Sequence, residues 1–231
     1  AGGRGIPGTL VWGRVVFSNV DRNAEVRLPL QPGTVVEGRI VIPEGVHSSK
    51  VSPGIAIRPQ AIGLATQPPV ESFLQWNEDQ RGFRIAISPF ASQLEVTPFA
   101  GEHYVREYRW NGAPLPGGAI PAGSSARSLE IVLDDKFSTL NVTVTDGSRP
   151  VLIDVFAIGS PTSTQISAGT GADGRATFPR LAPGTYRLIA IPKGQQALLD
   201  PAGVFDRLLT TAPRVTLTPG GTQSIEVRMS D

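Results

Sequence analysis

The chain of 231 residues contains no cysteine. Disulfides, thiolate nucleophiles and cysteine-ligated metals are thereby excluded. Histidine is nearly as scarce, with only His47 and His103 present. Two imidazoles cannot supply a three-ligand site with a carboxylate in range by any visible spacing. Lysine is limited to Lys50, Lys136 and Lys193, the other basic residues being arginine. Basic and acidic residues are interspersed and the net charge is +1. A nucleic-acid surface needs a clustered basic face, so that partner class is not expected. No apolar run reaches the roughly 18 residues that a membrane-spanning helix needs. No basic-then-apolar leader is visible, and residues 1–8 read as a flexible lead or a cut end. Helical periodicity is missing too. Gly or Pro interrupts nearly every window of ten, which predicts very little helix.

What the chain has in quantity is turn chemistry. Gly 26 and Pro 21 are spread over its length, beside an apolar fraction of 40%. Many short strands joined by tight turns fit that distribution. The clearest stretch is 172–191. Asp173-Gly174 is a hairpin-type dipeptide and Pro183-Gly184 a second turn. After it, Tyr186, Leu188 and Ala190 fall on one face, at the period of two that marks a half-buried strand.

Internal similarity organises the rest. Ser224-Ile-Glu-Val-Arg-Met229 resembles Ser128-Leu-Glu-Ile-Val-Leu133, and both resemble Ala24-Glu-Val-Arg-Leu28. Asp79-Gln-Arg-Gly82 parallels Asp173-Gly174, and Leu94 stands as far from Gly82 as Tyr186 does from Gly174. The chain then parses into a terminal hairpin or strand segment at 1–30, a first β-sandwich at 31–134 and a second at 135–231. Each body of about a hundred residues has the size of a two-sheet sandwich. The expected fold is all-β: two tandem antiparallel sandwiches, prealbumin- or immunoglobulin-like, with an N-terminal hairpin or strand extension.

Thr145-Asp-Gly147, a Val/Ile-rich strand, Ala172-Asp-Gly-Arg175, Phe178 and Leu181-Ala-Pro-Gly-Thr-Tyr186 together resemble the carboxypeptidase regulatory-like, transthyretin-related domain. Cna-B-type surface domains are similar. The likeness covers 140–191 well and 35–97 more loosely, where Ala91-Ser-Gln93 stands in place of the Pro-Gly turn. It implies a seven-stranded prealbumin-like sandwich, non-catalytic, exported and set in tandem. The family's name also implies a zinc peptidase. His47 is followed by Ser48-Ser49-Lys50 and His103 by Tyr104-Val105-Arg106, so neither begins the required His–x–x–Glu. The Lys–Asn cross-link of some Cna-B-like domains needs an asparagine in the last strand, and 225–229 has none.

No Gly-x-Ser-x-Gly elbow or phosphate loop is present. Asp134, Asp135, Asp146 and Asp173 occupy predicted turns, where turn chemistry alone accounts for them, although converging carboxylates would hold calcium. No enzyme activity and no cofactor is expected. Asn141-Val-Thr143 matches the glycosylation acceptor pattern on an outward strand position.

Two features carry binding potential. Tyr104, Arg106, Tyr108 and Trp110 share one strand face, a row able to stack on a glycan or grip a protein. The same face would equally pack against a neighbouring sheet. The second feature is the surplus hairpin at 1–30, since three copies of a terminal hairpin accompany two bodies. An isolated hairpin exposes strand edges. It packs within the chain, ends a preceding repeat, or donates strands to another subunit with Val15, Phe17, Val26 and Leu28 as knobs. The expected function is a non-catalytic structural module, secreted or at the cell surface. It self-associates or adjoins neighbouring domains of one surface protein, and a filament growing head to tail by strand addition is its specific form. The other expectation is a carbohydrate- or protein-binding accessory or adhesion module using the aromatic face.

Overall fold

Alternation of apolar and polar residues sets the architecture. In Leu140-Asn-Val-Thr-Val-Thr145 the apolar members are at most 1% exposed, while the polar ones face outward. The structure is a computed structural model describing residues 11–13, 27, 29–46, 54–59, 74–79, 81–97, 102–123, 128–146, 149–150, 153–160, 165–192 and 204–228. The chain divides into two compact units, Ala1–Leu133 and Asp134–Asp231.

Unit 1 begins with β1 (Val11–Gly13), antiparallel to β2 (Leu30–Pro32) with Trp12 opposite Gln31. Then come β3 (Thr34–Val41), β4 (Gly54–Pro59), β5 (Leu74–Trp76), β6 (Gly82–Ile87) and β7 (Ser92–Thr97). β8 (Tyr104–Trp110), β9 (Ala113–Pro114), β10 (Ala119–Ile120) and β11 (Ser128–Asp134) complete it. One sheet runs β5-β6-β3-β11-β8-β9, the other β10-β7-β4. Their inner faces meet in a core that includes Val36, Ile40, Phe83, Ile85, Leu94, Ile120, Leu129 and Ile131. Gly38 lies opposite Phe83 on the neighbouring strand. A Cβ at Gly38 would stand 2.1 Å from the ring, so the absent side chain is what lets the phenyl lie across the strand. Trp76 meets the same ring edge-on, with centroids 5.4 Å apart.

Unit 2 contains β12 (Ser138–Asp146), β13 (Arg149–Pro150), β14 (Ile153–Ser160), β15 (Gln165–Gly169), β16 (Arg175–Leu181) and β17 (Gly184–Pro192). A helix α1 (Val204–Thr211), β18 (Arg214–Leu217) and β19 (Thr222–Arg228) follow. β12 is central to one sheet, pairing with β13, β16 and β19. The other sheet runs β15-β14-β17-β18. The core includes Leu140, Val142, Val155, Phe178, Tyr186, Leu188, Leu217 and Val227. Tyr186 is 4% exposed, and its hydroxyl donates to the Ala182 carbonyl at 2.7 Å. Burial pushes its phenol up to about 12.

The turn at Asp173-Gly174 forms as its dipeptide suggests. Gly174 adopts φ 69°, and Asp173 Oδ1 accepts from the Arg175 N–H at 3.1 Å. The helix α1 is the one α-helix among the described residues. Leu208, Leu209 and Ala212 pack on Ile189 and Ile191 and cover the outer face of β17. Arg187 donates to the Leu209 carbonyl, and to that of Thr210 at 3.4 Å, setting a cation at the helix C-terminus.

The all-β sandwich expected from the sequence is the observed fold. The equivalence of the two units extends through both sheets. β6-β3-β11 in unit 1 has the connectivity of β16-β12-β19 in unit 2, and β4-β7-β10 that of β14-β17-β18. The similar sequences at 128–133 and 224–228 fall in β11 and β19, the last described strands of their units. Each unit has a parallel pair beside its antiparallel ones, and that pair joins the first strand of the repeated core to the last.

Candidate functional site

The aromatic row lies on β8, which sits between β11 and β9 in the larger sheet of unit 1. Asn111 fixes this neighbourhood. Its N–H donates to the Ser128 carbonyl at 3.0 Å, and its Oδ1 accepts from the Ser128 N–H at 3.2 Å. With β8 in the interior of the sheet, one of its faces turns into the sandwich. Tyr108 is 8% exposed and belongs to the core, Trp110 packs against that core, and Tyr104 is 7% exposed. Only Arg106 of the four is exposed. The row is thus on one strand as expected, but Tyr104 and Tyr108 are buried and Trp110 packs on the core, so its rings do not form a flat face toward solvent. Sequence period alone cannot tell a core face from an exposed one when the residues are amphipathic aromatics.

A charged ladder, which sequence reading missed, crosses three adjacent strands of the same sheet. Arg39 of β3 reaches Glu130 Oε1 of β11 at 2.6 Å through Nη2 and at 3.1 Å through Nε. Arg109 of β8 lies 3.7 Å from Glu130 Oε2 and 2.9 Å from Glu107 Oε2. The hydrogen bond from Arg109 holds the Glu107 carboxyl below its usual range and raises the guanidinium in turn. Arg39 and Glu130 are direct cross-strand partners. The register that joins them is not readable from either segment alone.

Val15, Phe17, Val26 and Leu28 lie outside the described residues. Nearby, Leu30 is 60% exposed and Val35 is 41% exposed. His47 is also outside the described residues, whereas His103 is buried at 3% exposure. Of the four candidate aspartates, Asp134 and Asp173 accept from backbone N–H groups. Asp134 Oδ1 accepts from the N–H groups of Asp135 and Lys136 at 2.8 and 3.2 Å. Asp79 Oδ1 likewise accepts from Arg81 and Gly82, whose N–H groups hold its carboxyl below the usual range. Among the described residues no group of three or more His, Asp or Glu is placed to hold a metal ion. Asn141 is half-buried on the central strand, its Oδ1 accepting from Thr177 Oγ1 at 3.0 Å.

The arrangement shared by both units is the parallel first–last pair. In unit 2 it runs through seven residue pairs, Thr139↔Thr222 to Thr145↔Arg228. In unit 1 it runs through five, Ser128↔Glu37 to Val132↔Val41. Because the paired strands point the same way, the chain enters the core of a unit at one end of the pair and leaves it at the other. Seven residues separate those ends by about 20 Å, at about 3.3 Å per step. The entry to β12 is held as well. Gly220 N–H donates to the Lys136 carbonyl at 3.0 Å, Thr139 N–H to the Gly221 carbonyl at 2.9 Å and Ser138 Oγ to the Thr218 carbonyl at 2.7 Å. The signal for these residues in the sequence was the repeat itself, which marked the last strands without revealing their partners.

No protein-family model matches the chain, and no curated protein matches it. Among solved structures it is similar to the Bacillus anthracis TIE protein at 15% identity and TM-score 0.30, covering 85% of this chain and 40% of that one. It is similar to GBS52, the minor pilin of Streptococcus agalactiae, at 15% identity and TM-score 0.33, covering 84% of this chain and 94% of that one. A streptococcal ancillary pilin aligns at 13% identity and TM-score 0.36, covering 93% of this chain and 69% of that one. All three are remote likenesses.

Proposed function

We propose that this chain is a non-catalytic structural module of an extracellular or cell-surface assembly. The observation that carries the reading is the repeated path of the backbone. In both units the first and last strands of the core are parallel neighbours, so the chain crosses each unit from one pole to the other. A module of this kind passes its own continuation onward at the far end, as a spacer requires.

The specific form of the reading is a filament subunit that grows head to tail by strand addition, with Val15, Phe17, Val26 and Leu28 of one copy as the donor knobs. The edge of β19 supports it. Among the described residues β19 pairs with β12 and with no second strand. Its seven residues contain neither Pro nor Gly, whereas the edge strand β16 carries Pro179, which removes a backbone donor. In unit 1 the equivalent strand β11 has β8 on that side. Light scattering and electron microscopy of the intact chain at rising concentration test the proposal. Species growing by whole chains are expected, with growth abolished by deleting residues 1–30. A chain that stays monomeric throughout, or grows equally well after the deletion, overturns the filament reading.

A further inference from the structure

We propose that the parallel pairs β12–β19 and β3–β11 are tension clamps, which make each unit resist a pull along the chain. This deepens the structural reading above and rests on it. The geometry needed is already described. A pull on the chain ends draws β12 by its N-terminal end and β19 by its C-terminal end, at opposite poles of one ladder. The two strands must then slide past one another. Every hydrogen bond between them is strained together, and none can open without the rest. An antiparallel hairpin pulled from its open end behaves differently, because its bonds break in sequence from that end. Forced unfolding is governed by the barrier to that first opening and not by total stability. The direction of the strands, more than the number of contacts, therefore decides the resistance.

Three further features fit the same role. The load reaching β12 first meets the ties from Gly220, Gly221 and Thr218 to Lys136, Thr139 and Ser138, which bind the entry segment to the turn before β19. Below that point the ladder runs without a break in register through all seven pairs, whereas the antiparallel contact of β12 with β16 is interrupted between Ser138 and Leu140. In unit 1 the pair is shorter but is cross-braced, since Arg39 and Glu130 face one another across it and are joined at 2.6 Å. Neither parallel pair is needed to connect consecutive strands, and both join residues far apart in sequence.

The absence of native cysteine makes the test direct, because introduced cysteines are unique anchors for single-molecule pulling. One full-length variant carries Lys136→Cys and Arg228→Cys, which grips unit 2 at opposite poles of the clamp. A second carries Asp146→Cys and Arg228→Cys, which grips it at one pole, since Thr145 is opposite Arg228. All three positions are exposed. At one loading rate, the opposite-pole variant is expected to unfold at a several-fold higher force than the same-pole variant. Unit 1 provides the same comparison should an anchor at Asp146 or Arg228 prevent folding. There Thr34→Cys with Lys136→Cys loads the pair in shear, and Thr34→Cys with Ser128→Cys peels it. Equal forces in the two directions, in whichever unit is pulled, overturn the proposal. The forces belong to the single chain, so a failure of head-to-tail growth leaves them unchanged and equal forces leave growth untouched.

Discussion

Units 1 and 2 repeat one core of six strands and differ in what they insert at the same point of it. Between β7 and β10, unit 1 inserts β8 and β9, which join the larger sheet beside β11. Between β17 and β18, unit 2 inserts α1, which lies against Ile189 and Ile191 on the opposite sheet. One insertion occupies the edge of the last strand. The other covers an outer face and leaves β19 with β12 as its one strand partner among the described residues. The repeated core fixes the path of the chain, and the insertion decides which surface is closed. The charged ladder follows from the same choice, because Arg109 and Glu107 arrive with β8.

The three tryptophans, Trp12, Trp76 and Trp110, all belong to unit 1, so their fluorescence follows that unit while circular dichroism follows both. The largest expected effect is on unit 2. Tyr186→Ala removes a buried ring and its bond to Ala182 and should cost about 3–5 kcal/mol. Denaturant unfolding by circular dichroism should show an early transition while the tryptophan transition stays in place. Movement of both together would mean that the units do not unfold separately. Gly38→Ala makes the converse test. The added methyl group meets the buried Phe83 ring, and overpacking of about 1–3 kcal/mol should move the tryptophan transition alone.

The next effect appears in alkali. The Tyr186 phenol is raised to about 12 in the fold, against about 10 in an unfolded chain. Its contribution is complete below pH 10 and is lost as pH rises through 12, because the unfolded chain gives up its proton first. Unit 2 should weaken across that window, and Tyr186→Phe should flatten its slope. An unchanged slope would assign the alkaline loss to another group. The smallest effect is the coupling between Arg39 and Glu130. A double-mutant cycle with alanine, read through tryptophan fluorescence, should give about 0.2–1 kcal/mol and fade with salt, since the Arg39 side chain is 67% exposed.

Much of the fold was legible because local chemistry governs it. Asp173-Gly174 predicts its own turn, and Leu140, Val142 and Val144 predict their own burial. The repeat of 128–133 in 224–229 identified corresponding strands because both pair in parallel with the first strand of their core. What could not be read was pairing over distance. Nothing near Thr139 says that its neighbour is Thr222, and nothing near Arg39 names Glu130. The β8 row shows the other limit. Tyr and Trp serve equally well in a core and on a surface, so Tyr104 and Tyr108 carried no mark of the side they would face. Helix α1 was hidden for a third reason. Eight residues are too few to declare a period against a background of strands, and its stability comes from Ile189, Ile191 and the Arg187 bonds to its last carbonyls.

The parallel pairs also set the order of events during synthesis. Thr139 leaves the ribosome 83 residues before Thr222 (222 − 139), and Arg39 precedes Glu130 by 91. Until β19 or β11 has been made, the first strand of each core, β12 or β3, lacks the partner along one whole side. Contacts of this span make folding slow and leave a growing chain open until its unit is nearly finished. The strand that locks a unit against extension is thus also the signal that the unit is complete.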